Sequence, residues 1–249
     1  MRRNQPTRLL LLVALIGTIG GVTLSSPASS APMIFDRKAN QAVNALIRPD
    51  LIRAEIVTFN FGEVGDNRVD RGVVRKLSGH LLTLAERDGT VVQVKLSSAT
   101  QIRIDDRKGV TKLVRPGMRV TVTRAGSAAA SWLYVTRRLP DRSLLKIRAL
   151  LSTGFVRTEV LSWSGGTLLD SRADTGVIDS VDGASMTLLE ADGASVKMQF
   201  DVAPAVWVNN TASSTTDLAP GMRATTIGNG NLVVSQVWAY GKKPGIGKR

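Results

Sequence analysis

Shifted by 104 positions against itself, the 249-residue sequence aligns two of its parts without a gap. Arg53-Ala-Glu55 falls on Arg157-Thr-Glu159, and Asp66-Asn-Arg68-Val-Asp70-Arg-Gly72 falls on Asp170-Ser-Arg172-Ala-Asp174-Thr-Gly176. Asp88-Gly89 falls on Asp192-Gly193, and Pro116-Gly-Met-Arg119 on Pro220-Gly-Met-Arg223. Over residues 44–135, 26 of 92 positions are identical, against roughly one in fifteen for unrelated chains of average composition. A period of this size marks a duplicated unit and constrains the fold before any local pattern does. It predicts two domains, copy one over 33–139 and copy two over 140–241, with a basic tail at 242–249. Each copy is long enough to bury a core.

Within each copy the local pattern predicts one short helix and then strands. The helices are expected over 36–47, with Val43, Leu46 and Ile47 at helical spacing, and over 143–151, with Leu144, Ile147 and Leu151 on one face. Pro49 and Gly154 stand where they stop. Residues 51–59 alternate, and 73–77, 81–86 and 91–96 are short β-rich runs. Asp88-Gly89 between two such runs predicts a hairpin whose two central residues take positive φ. A turn is expected at Ser78-Gly79, another at Pro116-Gly117 and a third at Gly72, each repeated in copy two. Strands every eight to twelve residues, with no βαβ alternation, read as a small barrel or sandwich.

The order Gly-Val-Val at 72–74, Leu-Thr-Leu at 82–84, Asp-Gly at 88–89, Val-x-Val at 92–94 and Pro-Gly-Met-Arg-Val-Thr-Val at 116–122 resembles a family of bacterial exported domains, domain of unknown function 5666. The match covers about 72–136 and 176–240. The resemblance implies small OB-like β-barrels in envelope or secreted proteins and supplies no catalytic residues. The expected fold is therefore all-β: two tandem small antiparallel barrels, each preceded by a short helix and an extra β-hairpin.

The N-terminus has the form of a secretory signal over 1–28. A basic start with Arg2, Arg3 and Arg8 precedes an apolar run from Leu9, and Ser26-Pro27-Ala28 offers small residues at a cleavage site. An uncleaved anchor is the alternative, because the run is near the lower length limit for a membrane span. The chain has no Cys, so neither disulfides nor thiol chemistry enters.

Formal charge is +13, and it is unevenly placed. Residues 44–139 carry 17 Lys and Arg against 9 acids, whereas 148–243 carry 7 against 9. A basic face attracts polyanions through a long-range, salt-screened field. The candidate anion-binding residues are Arg103, Arg107, Lys108, Lys112, Arg115 and Arg119 of copy one. Few aromatics accompany them, and export argues against cytoplasmic nucleic acid as the partner.

No other motif carries chemistry. The single histidine, His80, is expected on a surface turn, and with no Cys it builds no ordinary zinc site. Asp66-x-Arg68-x-Asp70 and its twin place three charges on one strand face. Two carboxylates there could share Ca²⁺, but the intervening Arg favours a salt-bridge ladder. Arg53/Glu55 and Arg157/Glu159 read as exposed strand faces. Trp163 and Trp238, standing where copy one has Phe59 and Tyr134, are expected to be buried, and Trp207, opposite Arg103, to be exposed. No phosphate loop and no nucleophile elbow occurs.

These readings converge on an exported, periplasmic, envelope-associated or extracellular protein without enzymatic activity, cofactor or metal. Copy one is expected to contact an anionic envelope polymer or a protein partner, and a membrane only if the signal segment is kept. The alternative is a structural subunit that self-associates through strand edges.

Overall fold

The β-branched and alternating runs form strands almost throughout, and the 104-residue period reappears in the element boundaries. The computed structural model describes residues 37–137, 141–152 and 154–242. The signal over 1–28, the tail after Lys242 and residues 138–140, where the two copies meet in sequence, lie outside the described residues. Copy one comprises α1 (Arg37–Leu46), β1 (Leu51–Asn60), β2 (Glu63–Ser78), β3 (Leu81–Glu86), β4 (Val91–Lys95), β5 (Gln101–Ile104), β6 (Arg107–Lys108), a 3-10 turn (Thr111–Leu113), β7 (Arg119–Ala125) and β8 (Ala130–Thr136). Copy two repeats this as α2 (Ser143–Leu151), β9 (Phe155–Ser164), β10 (Thr167–Asp182), β11 (Ser185–Glu190), β12 (Ser195–Val208), β13 (Thr211–Ser213), a 3-10 turn (Thr215–Asp217), β14 (Arg223–Asn229) and β15 (Val233–Tyr240).

The molecule is mostly β, with all strands in one sheet. That sheet is mixed, not purely antiparallel: β5 runs parallel to β8 and β12 parallel to β15. In copy two the pairings run from β10 through β11, β12, β15 and β14 and return to β10. In copy one the stretch matching β12 is split into β4 and β5. Ser97 N–H donates to Thr100 Oγ1, and that hydroxyl donates to Ala130 O, so a side chain stands where copy two has a strand.

The expected hairpin is real, but its second arm is not extra. β1 pairs with the first half of β2, whose second half pairs with β3. Gly72 is therefore no turn; β2 continues through it, as β10 does through Gly176. A Cβ on Gly176 would stand 2.5 Å from Leu189 O, and one on Gly72 would collide with Ala85 O. These glycines are required by the closeness of the neighbouring strand.

The Asp88-Gly89 turn also differs from expectation. Only Gly89 has positive φ, because the loop is four residues long: Glu86 N–H donates to Thr90 O, and Asp88 Oδ1 accepts from the Thr90 amide. The two-residue turns with both φ positive lie elsewhere, at Asp105-Asp106, Asn209-Asn210, Gly165-Gly166 and Phe61-Gly62. Phe61 is the costly member. Its side chain is fully exposed and its φ is +51°, where copy two has Gly165. A left-handed conformation costs an L-residue about 1–2 kcal/mol, and glycine returns part of that as backbone entropy. Phe61→Gly is expected to stabilise the chain by about 0.5–1 kcal/mol in denaturant unfolding.

The copies are joined through β1 and β9, which pair antiparallel. Glu55 faces Glu159 at the centre of this pairing, and these are equivalent positions, so the joint is a local two-fold axis. The helices cross over. α1 lines a groove with Ser162, Ser171, Ile227 and Gln236 of copy two. α2 faces copy one: Ser143 Oγ lies 3.0 Å from Thr121 Oγ1, Arg71 binds Asp141, and Lys146 sits 5.9 Å from the Trp132 ring centre. Each copy has its own core, around Leu84 and Leu133 in one and around Leu188 and Val237 in the other. A third core mixes both: Val43, Ile47, Ile56, Val69, Ile147, Leu151, Phe155 and Val160.

Candidate functional site

Two features gather charged side chains: a network repeated in both copies and a basic surface confined to copy one. The network is built by register. In β1, Arg53 stands opposite Asp70 of β2, and Gly72, two residues on, stands opposite Glu86 of β3. The bare glycine lets β3 close in, and the Arg53 guanidinium reaches Glu86 at 3.0 Å and also binds Asp88. Arg68, opposite Glu55, bonds to it at 3.2 Å and to Asp70 at 3.3 Å. Arg124 of β7 closes the set, 3.1 Å from Asp70.

Copy two repeats these contacts residue for residue. Arg157 binds Glu190 and lies 2.8 Å from Asp192, while Arg172 bonds Glu159 at 2.6 Å and Asp174 at 2.7 Å. The exception is Arg124, whose counterpart is Gly228. Three arginines thus face four carboxyls in copy one, and two face four in copy two. Asp174 and Glu190 therefore share less compensating charge, and Asp174 raises the Glu190 carboxyl.

Burial sets the electrostatics. Glu86 is 4 % exposed and Glu190 3 %. Desolvation pushes the Glu86 carboxyl up to about 7, against the pull of Arg53, with Asp70 adding to the rise. Glu190 is raised for the same reason, with Asp174 as the second cause. Both Glu86 carboxyl oxygens and Glu190 Oε1 are buried without a hydrogen-bond partner.

Arg53 and Arg157 are therefore not plain exposed-face residues; only Glu55 and Glu159 are exposed. The expected Asp–Arg–Asp ladder forms in part: Arg68 and Arg172 bind Asp70 and Asp174, and then turn sideways to Glu55 and Glu159 instead of back to Asp66 and Asp170. Glu86 and Glu190 were not singled out from the sequence, although their identity in both copies was there to read.

All six candidate anion-binding residues are exposed, and no ion pair engages any of them among the described residues. They do not form one group. Lys112 and Arg115 line a single cleft together with Lys76, which sequence reasoning missed. Arg103 and Lys108 face each other across β5 and β6, Arg107 lies next to Lys108, and Arg119 opens β7. Their counterparts in copy two are Trp207, Thr211, Ala212, Thr216, Ala219 and Arg223. Trp207 is half-buried, not exposed: it stacks on the buried Trp238 with ring centres 4.9 Å apart. Trp163 is likewise half-buried, with Arg87 of copy one 5.8 Å from its ring centre. His80 is exposed beside its turn.

No described helix is long and apolar enough to cross a membrane. No family model matches the chain, and no curated protein matches it.

Proposed function

We propose that this chain is an exported, non-enzymatic binding or adaptor protein of the bacterial cell envelope, and that copy one contacts an anionic partner through Arg103, Arg107, Lys108, Lys112, Arg115 and Arg119. The observation that carries this reading is the contrast between the copies: five of the six exposed cations of copy one are uncharged in copy two on the same scaffold. Charges that the fold needed would have been kept in both, as the buried network, Arg124 apart, was.

Each copy is read here as an OB-like barrel. The pairing order of β10, β11, β12, β15 and β14, numbered 1-2-3-5-4 and returning to 1 with strands 3 and 5 parallel, supports this reading. So do the turn positions shared with the exported bacterial domains. The signal-like segment over 1–28 supports export.

The test uses the whole chain, because cutting between the copies would part α1 and α2 from the strands they cover. Binding to isolated cell envelope and to a model polyanion is measured over a salt series, for the native chain and for a variant with all six residues changed to Gln. Counterion release predicts affinity falling steeply with salt for the native chain and a collapse of binding in the variant. Equal binding by the two chains would remove the assignment.

A further inference from the structure

Lys76 from the end of β2, and Lys112 and Arg115 from the segment around the first 3-10 turn, line one surface cleft of about 340 Å³. Thr111 adds a hydroxyl, Leu77 and Val114 add apolar wall, and no acidic residue lines it. We propose that this cleft is a binding site for a linear polyphosphate chain. The proposal rests on the anion-binding reading above and narrows it to one place and one ligand chemistry.

Three observations lead to it. First, the three cations come from segments more than thirty residues apart and meet at one opening, with no ion pair to any described acid. Second, copy two provides an internal comparison. Its 3-10 turn at Thr215–Asp217 and its Pro220-Gly221 turn stand in the same places, but the three cations are replaced by Ser180, Thr216 and Ala219. The scaffold folds without these charges, so they are not there to hold it. Third, three positive charges around a cleft of this size match a ligand that concentrates negative charge. In a polyphosphate chain neighbouring phosphoryl groups share one bridging oxygen, so its charges, one per group, stand closer together than those of a polymer with one carboxylate per residue. An ammonium binds phosphate as a point charge and a guanidinium binds it as a two-pronged fork, so both residue types suit this ligand.

The experiment titrates the full chain with inorganic polyphosphate over a salt series. The first variant, K76S/K112T/R115A, installs the residues of copy two. The control, R37Q/K95Q/K242Q, removes the same charge from exposed positions elsewhere. The expected result is at least a tenfold loss of affinity at low salt for the first variant and little change for the control. The slope of log affinity against log salt should fall by about two for the first variant, at roughly 0.7 per lost phosphate contact. The reverse exchange, S180K/T216K/A219R, is expected to raise the stoichiometry from one site to two. Thermal unfolding of every variant confirms that each one folds.

Equal weakening by the two triple variants would overturn the cleft and leave the broader anion-binding reading standing. Native-chain binding to polyglutamate or to phosphatidylglycerol vesicles but not to polyphosphate would overturn the phosphate-chain assignment alone. Binding to none of these probes would overturn both.

Discussion

Between pH 4.5 and about 7 the folded chain is expected to lose stability, and the double variant E86Q/E190Q is expected to abolish most of that loss. An unfolded Glu titrates near 4.5, whereas burial raises Glu86 to about 7 in the fold and raises Glu190 with it. Below the unfolded value both states hold the proton and nothing is lost. As pH rises through the window the unfolded chain releases its protons first, and the folded state is penalised until its own carboxyls ionise. Above about pH 7 the penalty is constant. One pKa unit is worth about 1.4 kcal/mol, so Glu86 costs up to roughly 3 kcal/mol at alkaline pH, and Glu190 adds a penalty of the same sign.

Two half-buried carboxyls with the opposite shift act in another window. Burial pulls Asp88 and Asp141 upward, but hydrogen bonds from Thr90 with the Arg53 charge outweigh it in Asp88, and Ser143 with Arg71 outweighs it in Asp141. Both are held below the ordinary 3.8. Their stabilising contribution is present above that value and is lost only as pH falls below it. Urea unfolding of the native chain and the double variant from pH 5 to 8 checks the expectation. A slope that survives the double substitution would show that these buried carboxyls do not cause it.

This buried network shows where reading the sequence reached and where it stopped. The duplication was legible because it rests on identity, and element boundaries recur 104 residues apart as it requires. The short helices were legible from their spacing, but not their destination. Leu144, Ile147 and Leu151 mark an apolar face without saying which copy it covers, and α2 faces the copy that precedes it. Period-two alternation placed Arg53 and Glu55 on one strand face but could not show that the β3–β4 turn lies over half of that face. The partners of Arg53 are 33 and 35 residues away on other elements, a separation that no local pattern spans. Asp88-Gly89 misled for a different reason: the dipeptide signals a turn, while loop length sets the turn type. The basic residues were legible as a charge excess. Their division into a cleft with Lys76 and a separate β5–β6 group follows from strand register, which composition does not contain.

Gly72→Ala and Gly176→Ala are expected to cost at least about 3 kcal/mol each, near or beyond the upper end for overpacking, and together to leave little or no folded protein. Gly79→Ala is expected to cost only about 1 kcal/mol, a single left-handed residue's penalty. Backbone angle alone would rank them the other way, because Gly79 has φ +57° whereas Gly72 lies in extended strand. The difference lies in what the new methyl would meet. At Gly79 there is open space within 4 Å, but at Gly72 there is the carbonyl of Ala85 on the paired strand, with its carbon at 2.9 Å. A flexible side chain could move aside, but a strand backbone cannot without breaking the β2–β3 ladder. Separating β2 from β3 also pulls Glu86 away from Arg53, so the steric cost adds to that of a buried carboxyl losing its guanidinium. The same geometry holds at Gly176 against Leu189 and Glu190. Denaturant midpoints of the three single variants decide the matter: G72A no worse than G79A would mean that β2 and β3 have room to part, and that the glycine is not what brings the network together.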